Sequence, residues 1–163
     1  MKNTVKTSRV AGQLEKMFRA LNTRFFGGEL EEVIITLKKT PGAYGHITCG
    51  KTWNAGGKER HEINISTATL DRPIEETTAT LLHEMCHLYN LMHDVQDCSR
   101  GNTYHNKKFK ECAESHGGAA GVLQPRRKER QDGIHCKGNK RAEHTRPRQE
   151  TAQKPDIYAA CTG

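Results

Sequence analysis

The sequence predicts an α+β domain over residues 1–118, on three observations. A helical apolar pattern fills residues 10–25, short β-branched runs occupy 33–66, and two more helical patterns follow residue 70. Helix, strands, helix, helix is the order of a mixed domain whose strands are grouped rather than alternating with helices. A small sheet with helices packed against it is therefore expected.

Each element has a local cause. Val10, Leu14, Met17, Phe18, Leu21 and Phe25 fall on one helical face, with Thr7 or Ser8 as its cap and Gly27-Gly28 as its stop. "VIITL" (33–37) reads as a strand, and Pro41-Gly42 turns the chain into a second at "AYGHITC" (43–49). "NAGGK" (54–58) is turn chemistry, and "HEINIS" (61–66) alternates as a third strand with Ile63 and Ile65 on one face. The next helix is expected to be capped by Asp71, with Pro73 in its first turn and Glu75 and Glu76 at the positive end of its dipole. Leu81, Met85, Leu88 and Met92 form its core stripe. A polar loop (94–102) leads to a last helix in "YHNKKFKECAESHGG", opened by His105 and stopped by Gly117-Gly118.

Beyond the domain, residues 119–163 read as a basic, disordered tail. Of the net charge of +7, residues 1–124 contribute 16 Lys/Arg against 14 Asp/Glu, and residues 125–163 contribute 10 against 5. A basic tail on a near-neutral domain suits a polyanion, with nucleic acid as the expected partner. No apolar run approaches the ~18 residues of a membrane span, and the N-terminal stretch lacks the apolar segment of a secretory signal. The six cysteines include no Cys-x-x-Cys pair, so reduced thiols and a cytoplasmic location are expected.

The chemistry is concentrated in "HEMCHLYNLMH" (83–93). His83 and His87, one turn apart, stand about 6 Å apart along the helix and about 40° apart around it. Both point away from the core stripe, as two ligands of a zinc ion would. Glu84, beside the first histidine, has the place of a general base that reaches a water without binding the metal. His93 matches the spacing of a third ligand in patterns where a glycine breaks the helix. Here that position is Asn90, and a continuous helix leaves His93 about 120° off the ligand face. Asp94, Asp97, Cys98, His105 and His116 are the other candidates. His105 has Phe109 one turn on to pack that end against the core, whereas His116 lies three turns further. Cys86 is expected to be a small buried side chain, His46 and His61 structural or exposed, and Tyr104 a packing residue.

"LLHEMCH", followed by "DCSRGNTYHNKKFKE", resembles the SprT-like family of zinc metallopeptidases. "NTRFFGGEL", "AYGHITC" and "INISTATLDRPIEETTATLLHEMCH" are similar as well, so the resemblance runs from about residue 10 to 118. It implies a zincin-like fold with helices on a small twisted sheet, His83, His87 and His105 as Zn2+ ligands, and Glu84 as the catalytic base. It also implies endopeptidase action on DNA-associated proteins in a repair or replication setting. Cys98 stands where the similar segment usually has Thr. Many members continue into a zinc ribbon with two cysteine pairs. This chain offers only Cys136 and Cys161, so no second zinc site is expected, and the tail is alternatively a truncated or degenerate ribbon. The competing reading is a non-catalytic, zinc-stabilised protein associated with nucleic acid. A structural site, however, has no need of a base and prefers four protein ligands.

Overall fold

The computed structural model describes residues 7–99 and 104–116. Helix α1 spans Thr7–Phe25 and buries Leu14 and Phe18, while Val10, Met17, Leu21 and Phe25 pack at the edge of the core. It ends as its glycines require. Gly27 and Gly28 have φ of 62° and 79°, and the Asn22 carbonyl accepts from both Phe26 and Gly28 N–H. The Asn22 carboxamide then brackets Leu30, accepting from its N–H at 3.1 Å and donating to its carbonyl at 3.0 Å.

Three strands form the main sheet: β1 (Ile34–Lys38), β2 (Gly45–Ile47) and, after a hairpin, β5 (Glu62–Ser66). The order is β1-β5-β2, with β1 parallel and β2 antiparallel to the central β5. Ile35, Ile47 and Ile63 align across the three strands, and with Ile65 they face the helices. Fully burying each such side chain contributes about 1.5–3 kcal/mol.

Alternation in "HEINIS" suggests one wet face, yet every residue of β5 is buried. The reason is a polar network on the second face. Glu62 accepts from Thr36 Oγ1 (2.6 Å), Lys38 Nζ (2.7 Å) and Trp53 Nε1 (2.6 Å). Asn64 accepts from Lys38 N–H and donates to the Lys38 carbonyl. Trp53 comes from a hairpin, β3 (Trp53–Ala55) and β4 (Lys58–Arg60), turning on Gly56-Gly57 with φ of 61° and 74°. That pair of positive φ values twists the ribbon the way strands prefer. The turn was readable from sequence; its polar three-residue strands carried no periodic signal.

A 3-10 turn (Thr67–Thr69) leads to α2 (Ile74–Met92). Asp71 is not its cap. Pro73 occupies the N-cap position, extended at φ −49° and ψ 145°, and its carbonyl accepts from Glu76 and Thr77 N–H. A helix starting at Arg72 would place a helical residue directly before proline, which the ring disfavours. Leu81, Met85 and Leu88 are completely buried, but Met92 is 39 % exposed, so the core stripe stops one turn early. The helix runs unbroken through Asn90 and ends at His93, after which Asp94 takes a left-handed φ of 54°.

Two short strands, β6 (Cys98–Ser99) and β7 (Tyr104–His105), precede α3 (Lys107–Ser115). His105 therefore lies in a strand and does not open the helix. Asn106 is the reason: its side chain accepts from Lys108 N–H (2.8 Å) and Phe109 N–H (3.4 Å), which sets the helix start after it. The glycine stop at 117–118 and the tail at 119–163 lie outside the described residues. Among the described residues no helix is long and apolar enough to cross a membrane. The α+β class holds.

Candidate metal centre

His83 and His87 project from one face of α2, and β7 brings His105 to them. The Nε2 atom of His87 lies 3.3 Å from that of His83 and 3.1 Å from that of His105. A tetrahedral ion with Zn–N bonds of about 2.05 Å would separate its nitrogen ligands by roughly 3.3 Å, so three neutral imidazoles in this arrangement fit such an ion. Phe109, on α3, lies behind the cluster. Its ring centroid is 4.6, 4.5 and 4.3 Å from those of His83, His87 and His105, with the latter two stacked. An apolar floor of this kind restricts ring rotation and keeps water from that side.

Burial keeps His105 ready to donate a lone pair. Burial, with the His87 charge adding to it, lowers the His105 pKa to about 4 against an opposing pull from Asp97. At neutral pH His105 is thus an uncharged imidazole, the form that binds metal. Asp97 lies on the far side of His87, where Oδ2 is 2.6 Å from Nδ1 and 3.0 Å from Asn90 Nδ2. Burial works against ionisation of this carboxyl. The hydrogen bond and charge of His87, with bonds from Asn90 and Cys98, outweigh it and hold Asp97 below the usual carboxylate range. An ionised carboxylate only accepts, so His87 donates to it from Nδ1 and turns Nε2 towards the cluster.

Glu84 is completely buried between α2 and β2. Its space depends on Gly45: a Cβ there would meet Asn64 O at 3.0 Å, Thr80 Cγ2 at 3.1 Å and Glu84 Oε1 at 3.4 Å. The glycine in "AYGHITC" thereby leaves room for the carboxylate beside the first histidine.

The other sequence candidates lie elsewhere. His93, at the end of α2, contacts Glu29 Oε1 at 2.8 Å and the Tyr89 carbonyl at 2.8 Å. His116 stacks on Phe26 with centroids 4.6 Å apart. His61 is buried and bonded to the Thr48 carbonyl at 2.9 Å, and His46 is buried on β2. Cys86 is buried next to Cys112, whose thiol, together with burial, pushes the Cys86 pKa far up. Tyr104, expected to pack, is 58 % exposed. Cys98 pairs with His105 across β6–β7. With His87 and Asp97 it forms a second set of donor atoms within 4.8 Å of one another, and the histidine cluster is the first.

A family model described as SprT-like matches residues 14–129, most of the chain. The chain belongs to the SprT-like family. No curated protein and no solved structure matches it. The matched span of this SprT-like chain includes the histidine cluster, Glu84, Gly45 and the Asp97 loop. Sequence reasoning reached the histidines and Glu84. It considered Asp97 only as a ligand, and it missed that Asn90 and Phe109 touch the cluster's surroundings. The spacing of Asn90, one turn beyond His87 on the same face, was the available signal.

Proposed function

We propose that this SprT-like chain is a zinc-dependent endopeptidase with a zincin-like fold, acting on DNA-associated proteins. The observation that supports it most is the convergence of three imidazole Nε2 atoms, those of the buried His83 and His87 and of the half-buried His105, with the buried Glu84 following His83 on α2. Three protein ligands leave a fourth position for reactants, as catalytic zinc sites do. Bound zinc would supply a Lewis acid for the substrate carbonyl and acidify water.

The chain's own groups do the rest. His83, His87 and His105 would hold the ion through Nε2. The Glu84 carboxylate takes the proton of the attacking water and delivers it to the leaving amine. Gly45 keeps the pocket of that carboxylate open. In the tail, Arg126, Arg127, Lys128, Arg130, Lys137, Lys140 and Arg141 are assigned to the phosphate backbone of DNA. Such contacts localise the enzyme without reading sequence.

The test is proteolysis of a DNA-binding protein by the zinc-loaded chain, with and without single-stranded DNA. Wild type should cleave, and Glu84→Gln should keep its zinc while losing activity by at least ~100-fold, the scale of a lost general base. A zinc-loaded wild type that cleaves nothing under either condition rejects the enzyme and leaves the non-catalytic reading.

A further inference from the structure

We infer that Asp97 is the positioning residue of the metal centre, orienting His87 with its carboxylate and anchoring the His105 segment with its backbone. The inference rests on the reading of the three-histidine cluster as a metal centre. Its basis is how the chain returns after α2. Asp94 takes a left-handed φ of 54°, and Val95 N–H bonds back to the Asn90 carbonyl at 2.8 Å. This reversal lays residues 95–98 against the last turns of the helix that carries the first two histidines.

From there Asp97 acts in two directions. Its Oδ2 accepts from His87 Nδ1 at 2.6 Å and from Asn90 Nδ2 at 3.0 Å. With Nδ1 so engaged, His87 presents Nε2 to His83 and His105, and its ring cannot turn without breaking the bond. The Asp97 carbonyl accepts from Asn106 N–H at 2.8 Å, and the Asn106 side chain donates to Gln96 O at 2.9 Å. Asn106 follows His105 directly and caps α3, while Cys98 pairs with His105 across β6–β7. Asp97 thus links two cluster members on different elements, 18 positions apart in sequence.

Asn90 acquires a role here as well. It does not break the helix; its amide is the second donor that holds the Asp97 carboxylate in place. A carboxylate that receives the other ring proton of a ligating histidine orients it and raises its basicity, and losing it weakens metal binding by about 10–100-fold.

Zinc affinity of the full chain, measured by competition with a chromophoric chelator, tests this for wild type, Asp97→Ala and Asp97→Asn. Asp97→Ala should bind zinc roughly 10–100-fold more weakly. Asp97→Asn, which keeps the shape and an acceptor but loses the charge, should fall between. Long-range 1H–15N spectra of the apo protein should show the His87 proton on Nδ1 in wild type and a mixture of tautomers in Asp97→Ala. A merely structural role would lower the apo melting temperature and leave the tautomer unchanged. If Asp97→Ala does not fold, the near-isosteric Asp97→Asn decides. Wild-type affinity in the surviving variant, with the tautomer unchanged, overturns the inference while leaving the metal centre intact. A wild type that takes up neither zinc nor cobalt overturns the metal-centre reading first, and the inference with it.

Discussion

Two histidines ten positions apart on α2 and its cap, His83 and His93, have opposite fates, and helix phase separates them. His83 faces β7, whereas His93 faces Glu29 at the helix end. His105→Ala should therefore abolish stoichiometric zinc uptake, read by metal analysis after dialysis, while His93→Ala remains loaded. The His93–Glu29 pair is partly exposed, so its loss should change stability by no more than ~1 kcal/mol. The reverse pattern of metal content rejects the ligand assignment. Gly45 acts at the same scale by lacking a side chain. Gly45→Ala places a methyl 3.0 Å from a backbone oxygen and 3.4 Å from Glu84 Oε1. The expected outcome is a destabilisation of about 1–3 kcal/mol in denaturant unfolding, with activity reduced further than metal content.

Among the elements, the short ones between α2 and α3 decide whether a site exists. α3 starts where Asn106 caps it, and the same residue ties its backbone to Asp97 and its amide to Gln96. Asn106→Ala should cost about 1 kcal/mol or somewhat more, since the cap alone is worth roughly that. Thermal unfolding of the apo protein checks the size. The β5 strand presents the other case. Removing the Glu62 carboxylate leaves Thr36 and Trp53 donors and a cation without their shared acceptor. Glu62→Ala should destabilise by about 2–4 kcal/mol, as loss of a buried hydrogen-bonded carboxylate does. Much of this was legible in part. Periodicity located α1, α2 and the three main strands, and glycine pairs located two turns. The hairpin strands, the burial of both faces of β5 and the strand at His105 were not legible. The hairpin strands and the strand at His105 are only two or three residues long, too short for a period, and the second buried face of β5 depends on partners from other strands.

For the molecule as a whole, pH and salt separate the domain from its tail. In the unfolded chain His105 takes up a proton near ~6.5, but in the folded apo protein only near about 4. Between those values the unfolded state holds more protons, so apo stability should fall as pH drops through that window. The loss is on the order of 3 kcal/mol. His46, whose pKa is lowered mainly by burial, adds a fall of the same sign below the ordinary histidine range. Glu62 and Asp97 act at more acid pH. Both are held below the usual carboxylate range, so their contribution is whole above it and disappears as pH falls through the depressed values. Equilibrium unfolding of the apo protein between pH 7 and 4 measures the histidine part; a flat profile contradicts it. DNA affinity, proposed for the tail, should weaken steeply with added salt. Binding that persists unchanged from low to high salt argues against a phosphate-backbone mode.

The sequence alone determined the class of the fold, the family, and the helix carrying "HEMCHLYNLMH". These follow from residue types at helical spacing, and spacing is a local property. It also disfavoured His93, because a continuous helix would fix the angle between any two of its residues; that the helix is continuous through Asn90 came from the structure. Only the tertiary structure placed β7 against α2, set Phe109 behind three rings, and turned the chain at Asp94 so that Asp97 meets His87. Those contacts join residues from separate elements. Their distances depend on how the core packs, and no periodicity in the chain encodes them.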